Sequence, residues 1–257
     1  MILRRLTENL RAQNWTAIAI EFLIVVTGVF IGTQVSNWNQ ARVERAETKR
    51  MLAQLIPELR SEMQFFDGVK EYYRTTRSYA DQALAGWNND PTVSDTQFVI
   101  AAYQASQING IGINPDSWSL TFGGAQLRNI ENSKVRRTME VMLTADYAPV
   151  EFNAVATPYR EQVRHVIPID IQDKIRTACG DRNIPGEDGA IFIVLPSACS
   201  LQLEPAAAKA VAAALRARPD LVGELRWHLA AVATYLANVD ILAVPIRELQ
   251  QELSSTP

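Results

Sequence analysis

The residue types able to carry out chemistry are few in this chain and stand far apart. His165 and His228 are the only histidines in 257 residues, and neither has a Cys, His or carboxylate companion at metal-ligand spacing. Each reads as a surface or helix-face histidine, and no metal or cofactor is expected. Asp170 and Asp173 can share one face of a helix, but two carboxylates at that spacing also describe an ordinary solvated face. The sequence contains no GxSxG and no P-loop, and Gly110-Ile111-Gly112 lacks the third glycine and the strand–helix setting that cradle a dinucleotide phosphate. Nothing supplies nucleophile, base and orienter together, so the expectation is a protein that is not an enzyme. Trp118, Phe122 and Tyr147 read as core aromatics rather than a ligand box. Cys179 and Cys199, the only cysteines, allow two readings: a disulfide made in an oxidising compartment, or two buried thiols. An even pair in a loop-like stretch favours the disulfide.

One ionisable residue stands out by its surroundings. Glu21 is the single charge between residues 12 and 41, inside the apolar run Ala17 to Gly32. That run is long enough to cross a bilayer, which needs roughly 20 mostly apolar residues. Trp15 and Trp38 bracket it, about 35 Å apart at about 1.5 Å per residue, as interfacial belts require. Arg4, Arg5 and Arg11 against Glu8 would suit a signal peptide's basic start. The core is too long for one, however, and the exit through Gln34, Asn37, Trp38 and Asn39 lacks the small residues of a cleavage site. An uncleaved anchor is expected. Basic residues nearly balance across its two ends, so the disulfide reading decides orientation: N-terminus cytoplasmic, body periplasmic, in a bacterial inner membrane.

At about 100° per residue, Ala17, Glu21, Gly28 and Gly32 fall on one narrow stripe. Gly28 and Gly32 form a small-xxx-small pair that lets a second helix approach closely. A carboxylate on that stripe costs about 2.5–3.5 kcal/mol at mid-bilayer. Glu21 either reaches back to the headgroups or meets a donor on a docked helix, and docking is the sharper expectation. The helix partner is a second copy or a larger integral membrane protein, with membrane lipid around both. The amides of Gln34, Asn37 and Asn39 read as interfacial polarity around a belt tryptophan.

The elements that must carry these residues are mainly α. The expected architecture is a single N-terminal transmembrane helix continuing into a stalk, then an extracytoplasmic helical bundle with one irregular disulfide-containing loop. Residues 1–14 form the cytoplasmic N-terminus, 15–39 the transmembrane helix and 40–90 a helical stalk. The helical body follows at 91–167, the irregular loop region at 168–203 and the C-terminal helices at 204–257. Leu52, Leu55, Leu59, Met63 and Phe66 recur at helical spacing along the stalk, where Pro57 predicts a kink or short break. Ser94 and Gln97 form a capping box that opens a helix through Ile108. A short helix is expected from about Ser117. Ser133 is placed as the cap of a long helix running past Tyr147, with kinks at Pro149 and Pro158. Ala190 to Leu195 can be a short strand. Pro205 opens an Ala-rich helix, and Asp220 caps a last helix to about Leu253 with a kink at Pro245.

Two stretches carry a resemblance. Gly28 to Asn39, ending Gln34-Val35-Ser36-Asn37-Trp38-Asn39 and followed by a charged helix, resembles an uncharacterised bacterial family of single-pass membrane proteins. Its N-terminal helix ends in a Gln-x-x-Asn-Trp-Asn pattern. Trp118 to Asn132, followed by Val135-Arg136-Arg137, is similar to an aromatic-Gly-Leu-x-x-Ile segment of the same proteins. Pro57 and the cysteine region depart from the pattern. The resemblance implies the anchor-plus-body architecture and no reaction.

Removing residues 1–40, with three Arg, Glu8 and Glu21, from totals of 25 basic and 28 acidic residues leaves 22 against 26, a net of −4. A mildly acidic body argues against nucleic acid as a partner. Together these features point to a non-enzymatic accessory, scaffold or stabilising subunit of a larger membrane complex. The alternative is a membrane-anchored ligand-binding or sensory domain, with a groove near Pro149 and Pro158.

Overall fold

A 73-residue helix, α1 (Trp15–Trp87), organises the chain. The computed structural model describes residues 15–110, 125–186 and 191–255, and these are mainly helical. Only the part of α1 beyond about residue 48 enters the body, where Leu55, Leu59, Phe66, Val69, Tyr72 and Tyr73 are buried at three- and four-residue steps. The expected stalk is therefore the central core helix. Nor does Pro57 break it: α1 runs through without interruption. The missing N–H deprives Ala53 of its helical donor, but Ala53 is exposed and its carbonyl can meet water. Leu55 and Leu59 on either side are buried, each worth about 1.5–3 kcal/mol, which offsets the proline's cost of about 3 kcal/mol.

After Trp87 the chain turns at Asn89, the one described non-glycine residue with positive φ, at 55°. Helix α2 (Asp95–Gln104) opens with both halves of the capping box in place: Ser94 Oγ accepts from the Gln97 N–H at 3.3 Å, and Gln97 Oε1 accepts from the Ser94 N–H at 2.9 Å. It stops four residues short of Ile108. Ser106 donates its hydroxyl to the Tyr103 carbonyl, and the backbone there tightens into i→i+3 turns. Gly86 lies where α1 meets α2, and a Cβ there would sit 2.2 Å from the Phe98 ring. Only glycine permits that approach.

Helix α3 (Ala125–Arg128) leads to α4 (Ser133–Thr144). The cap of α4 is Asn132, whose side chain accepts from Lys134 and Val135, and not Ser133 as expected. Helix α4 also ends earlier than expected. Asp146 accepts from the Ala148 N–H, and Pro149 sits in a short 3-10 turn, Ala148–Val150, followed by another at Phe152–Val155. Pro158 starts α5 (Pro158–Val166) at its first position instead of kinking a longer helix.

The expected irregular region at 168–203 holds regular structure. It contains α6 (Ile169–Cys179) and an antiparallel hairpin of β1 (Arg182–Pro185) and β2 (Ile191–Val194). Ile171, Ile175 and Cys179 repeat every four residues and are buried. Glycines and prolines crowd the flanking sequence and mask this short helical repeat. Cys179 and Cys199 are joined in a disulfide with Cα atoms 5.5 Å apart, the ordinary span of such a bond. Helix α7 (Pro205–Arg216) follows, capped by the Glu204 carboxylate, which accepts from the N–H groups of Ala206 and Ala207.

Helix α8 (Asp220–Ser255) returns antiparallel to α1: Tyr235 stacks edge-on to Tyr73, Asp240 pairs with Lys70 at 2.5 Å, and Leu253 reaches the neighbourhood of Leu52. It passes Pro245 unbroken. The expected helix from Ser117, and Trp118 and Phe122 of the aromatic cluster, lie outside the described residues. Tyr147 is half-buried and donates to the Met142 carbonyl.

Candidate functional site

The first third of α1 stands apart from the core. Ile20, Phe22, Leu23, Ile24, Val29, Phe30, Ile31 and Val35 are all exposed. Trp15 and Trp38 at the ends are 73% and 65% exposed, and Gln34, Asn37 and Asn39 are exposed beside Trp38. No residue in the most apolar 18-residue window of this helix is buried. On the stripe, a Cβ at Gly28 or Gly32 would meet nothing within 4 Å, so both glycines present open backbone. Ala17 and Glu21 are half-covered, and the Oε2 atom of Glu21 is buried without a hydrogen-bond partner among the described residues. All four residues lie on the one unbroken helix α1, the two glycines open and the Glu21 oxygen covered.

Helix α8 is a second helix long and apolar enough to cross a membrane by length and composition, which the sequence reading did not mark. It differs in packing. A face through Leu225, Val232, Tyr235, Val239, Leu242, Ile246 and Leu249 is buried, and its one mid-helix acid, Asp240, is paired with Lys70. Trp227, Ile241 and Val244 remain exposed on the other face.

Where α1 enters the body there is a cavity of about 420 Å³. One wall is a helical stripe of α1 with Leu52, Ala53 and Ile56. The other is Ile130 and Val135 at the start of α4, and Leu253 of α8 closes it. Arg45, Lys49 and Glu131 stand around it, with Arg45 and Glu131 3.8 Å apart. This is not the groove expected near Pro149 and Pro158; it lies where α1 enters the body.

A polar seam crosses the far side of the core. Arg160 donates to the Ser106 carbonyl at 2.7 Å, and Arg164 donates to Gln107 Oε1 at 2.8 Å while stacking over the Tyr103 ring. Arg176 reaches the Tyr103 hydroxyl, and Tyr72 donates to Asp181 at 2.9 Å. Desolvation pushes the Asp181 carboxyl above its ordinary value, against the opposing pull of Tyr72, Arg160 and Arg164. Burial and the neighbouring Arg160 lower Arg164. Gln104 donates to the Cys179 carbonyl, tying α2 to the disulfide. These groups satisfy one another, which is what buried polar atoms require. Asp170 and Asp173 pair with Lys174 and Arg176 on the surface of α6.

His165 is exposed, as expected, but His228 is 1% exposed and belongs to the core. Its Nδ1 lies 2.7 Å from Thr157 Oγ1, its ring packs beside Tyr159, and its Nε2 has no hydrogen-bond partner among the described residues. Burial, helped by Arg160, pushes its pKa down to about 4, so the ring is neutral near pH 7. Its partner is 71 residues away, and no local pattern announces it. Among the described residues no three His, Cys, Asp or Glu side chains gather where they could hold a metal ion.

No family model, no curated protein and no solved structure matches this chain.

Proposed function

We propose that this protein is a non-enzymatic single-pass membrane protein, anchored by residues 15–39, with its N-terminus cytoplasmic and its body periplasmic. It acts as an accessory, scaffold or stabilising subunit of a larger integral membrane complex. The carrying observation is the first third of α1, apolar and exposed along residues 22–39, with Gly28 and Gly32 open and a Glu21 oxygen lacking a partner among the described residues. Apolar side chains lose about 1.5–3 kcal/mol each when left in water, so a run of this length calls for lipid. Glycines that bare the backbone, with a carboxylate on the same line, suit a second helix that supplies close packing and a donor. The disulfide suits an oxidising compartment for the body. Membership of the uncharacterised family with the Asn-Trp-Asn exit is part of this proposal and rests on Gly28 to Asn39.

In this reading the body follows directly on the anchor, a reading supported by the one helix that runs from Trp15 into the core. The test is purification of the tagged chain in mild detergent with mass spectrometry of what accompanies it. Wild type should bring down a stoichiometric integral membrane protein, and the Gly28→Ile/Gly32→Ile variant should lose it. Unchanged co-purification would contradict docking through this face.

A further inference from the structure

We infer that the cavity between α1, the start of α4 and the end of α8 takes an acyl chain of an anionic phospholipid from the adjoining leaflet, with Arg45 and Lys49 holding the headgroup. The inference rests on the membrane anchor proposed above.

Position argues first. Arg45 is seven residues beyond Trp38 on one unbroken helix, about 10 Å along the axis, and Lys49 about 16 Å. With Trp38 at the edge of the hydrocarbon, the headgroup layer extends about 5–8 Å past it. The long side chain of Arg45 therefore reaches that layer, Lys49 stands above it within reach of a headgroup drawn up to Arg45, and the cavity begins beyond Lys49.

Chemistry argues second. The interior is apolar, formed by Leu52, Ile56, Ile130, Val135 and Leu253, and its volume of about 420 Å³ falls within the roughly 300–1,000 Å³ of small-molecule sites. Polar Thr48, Asn129 and Asn132 and the charged groups complete the lining. Arg45 and Lys49 against Glu131 leave one positive charge in excess. Arg45 and Glu131 are both exposed at 3.8 Å, a separation at which such a pair is worth about 0–1 kcal/mol, so the arginine is readily redirected. Lys49 makes no ion pair among the described residues. An apolar slot above the headgroup layer, with basic groups between the two, matches an amphiphile with a negative head and a hydrocarbon tail. It does not match a soluble polar ligand, which would leave the apolar walls uncovered.

The test uses the full chain in nanodiscs of phosphatidylcholine doped with phosphatidylglycerol bearing a diazirine at the end of one acyl chain. After irradiation, cross-linked peptides are mapped by mass spectrometry. The expected result is two sets of adducts, one on residues 15–39 and one on the peptides containing Leu52, Ile56 and Leu253. The variants Arg45→Glu/Lys49→Glu and Ala53→Trp should each cut the second set by about tenfold, the loss expected from removing charge-assisted contacts or filling the slot. The first set should stay unchanged in both. It serves as the control for insertion, while an intact Cys179–Cys199 bond and an unchanged melting temperature report folding.

Adducts on residues 15–39 alone would overturn the pocket and leave the anchor standing. Absence of both sets would overturn the anchor itself. Equal body labelling from a phosphatidylcholine probe would overturn the choice of an anionic head. Protection of Lys49 from acylation by inorganic phosphate, without body adducts, would assign the basic groups to free phosphate and overturn the lipid.

Discussion

The first third of α1 and the middle of α8 are both helical and both apolar over a stretch long enough by length and composition to span a bilayer, yet they solve different problems. Along α8 the apolar residues divide into faces: Val232, Tyr235, Val239 and Leu242 pack inward, and only scattered side chains such as Ile241 remain outside. Along residues 20–35 of α1 there is no inward face. Their acids tell the same story. Asp240 is matched by Lys70 at 2.5 Å, whereas Glu21 keeps an oxygen without a hydrogen-bond partner among the described residues. Hydropathy alone therefore does not separate a core helix from a membrane helix. The distribution of burial around the axis is what differs between these two helices.

The largest effect that should separate the two parts of α1 comes from paired truncations. Phe66→Ala, within the body, empties a fully buried site and should destabilise the body by about 3–5 kcal/mol. Phe30→Ala, on the same helix, touches nothing in the body and should leave the denaturation midpoint unchanged. Chemical denaturation in detergent, followed by body tryptophan fluorescence, measures both. A comparable loss from Phe30→Ala would mean that the anchor packs on the body.

His228 offers the next contrast, between the core face of α8 and its surface. Its pKa lies at about 4 in the fold, below the ordinary 6.5, so protons bind the unfolded chain more readily. The stabilisation is complete above pH 6.5 and is lost as the pH falls toward about 4, amounting to about 3 kcal/mol at full loss. Between pH 7.5 and 4 the stability of wild type should fall by about 3 kcal/mol relative to His228→Gln. Parallel curves would remove His228 as the source.

The smallest effect is at the capping box. Ser94→Ala should cost about 1 kcal/mol, with no effect on retention in the membrane, since it acts on α2 alone. A fractionation assay run beside the melt checks both halves.

What was legible in the sequence follows from how far apart the interacting residues lie. The capping box is complete within four residues, and it is present in the fold as read. The apolar run from Ala17 to Gly32 needs no tertiary partner to be recognised as helix. The cap of α4 was placed one residue late because Asn132 and Ser133 are both competent acceptors and only the backbone chooses. Pro57 was misread because its cost is local, whereas the burial of Leu55 and Leu59 that outweighs it comes from contacts across the fold. The Arg160–Arg164 seam joins residues 53 to 58 positions apart, and His228 meets Thr157 across 71. The cavity draws its walls from three segments distant in sequence. None of these leaves a periodic trace. The disulfide was half legible: the even pair was visible, but not the helix that positions Cys179.

The most direct test places one reporter on each of the two apolar helices. Val25 and Ile241 are 45% and 67% exposed, so the protein itself shields neither. Each is replaced by cysteine in the full chain, and native membranes opened on both sides are treated with a water-soluble maleimide. The account expects Ile241→Cys to label readily and Val25→Cys to stay unlabelled until detergent strips the lipid. Equal labelling of both positions before detergent would contradict the claim that α1, and not α8, carries this protein through the bilayer.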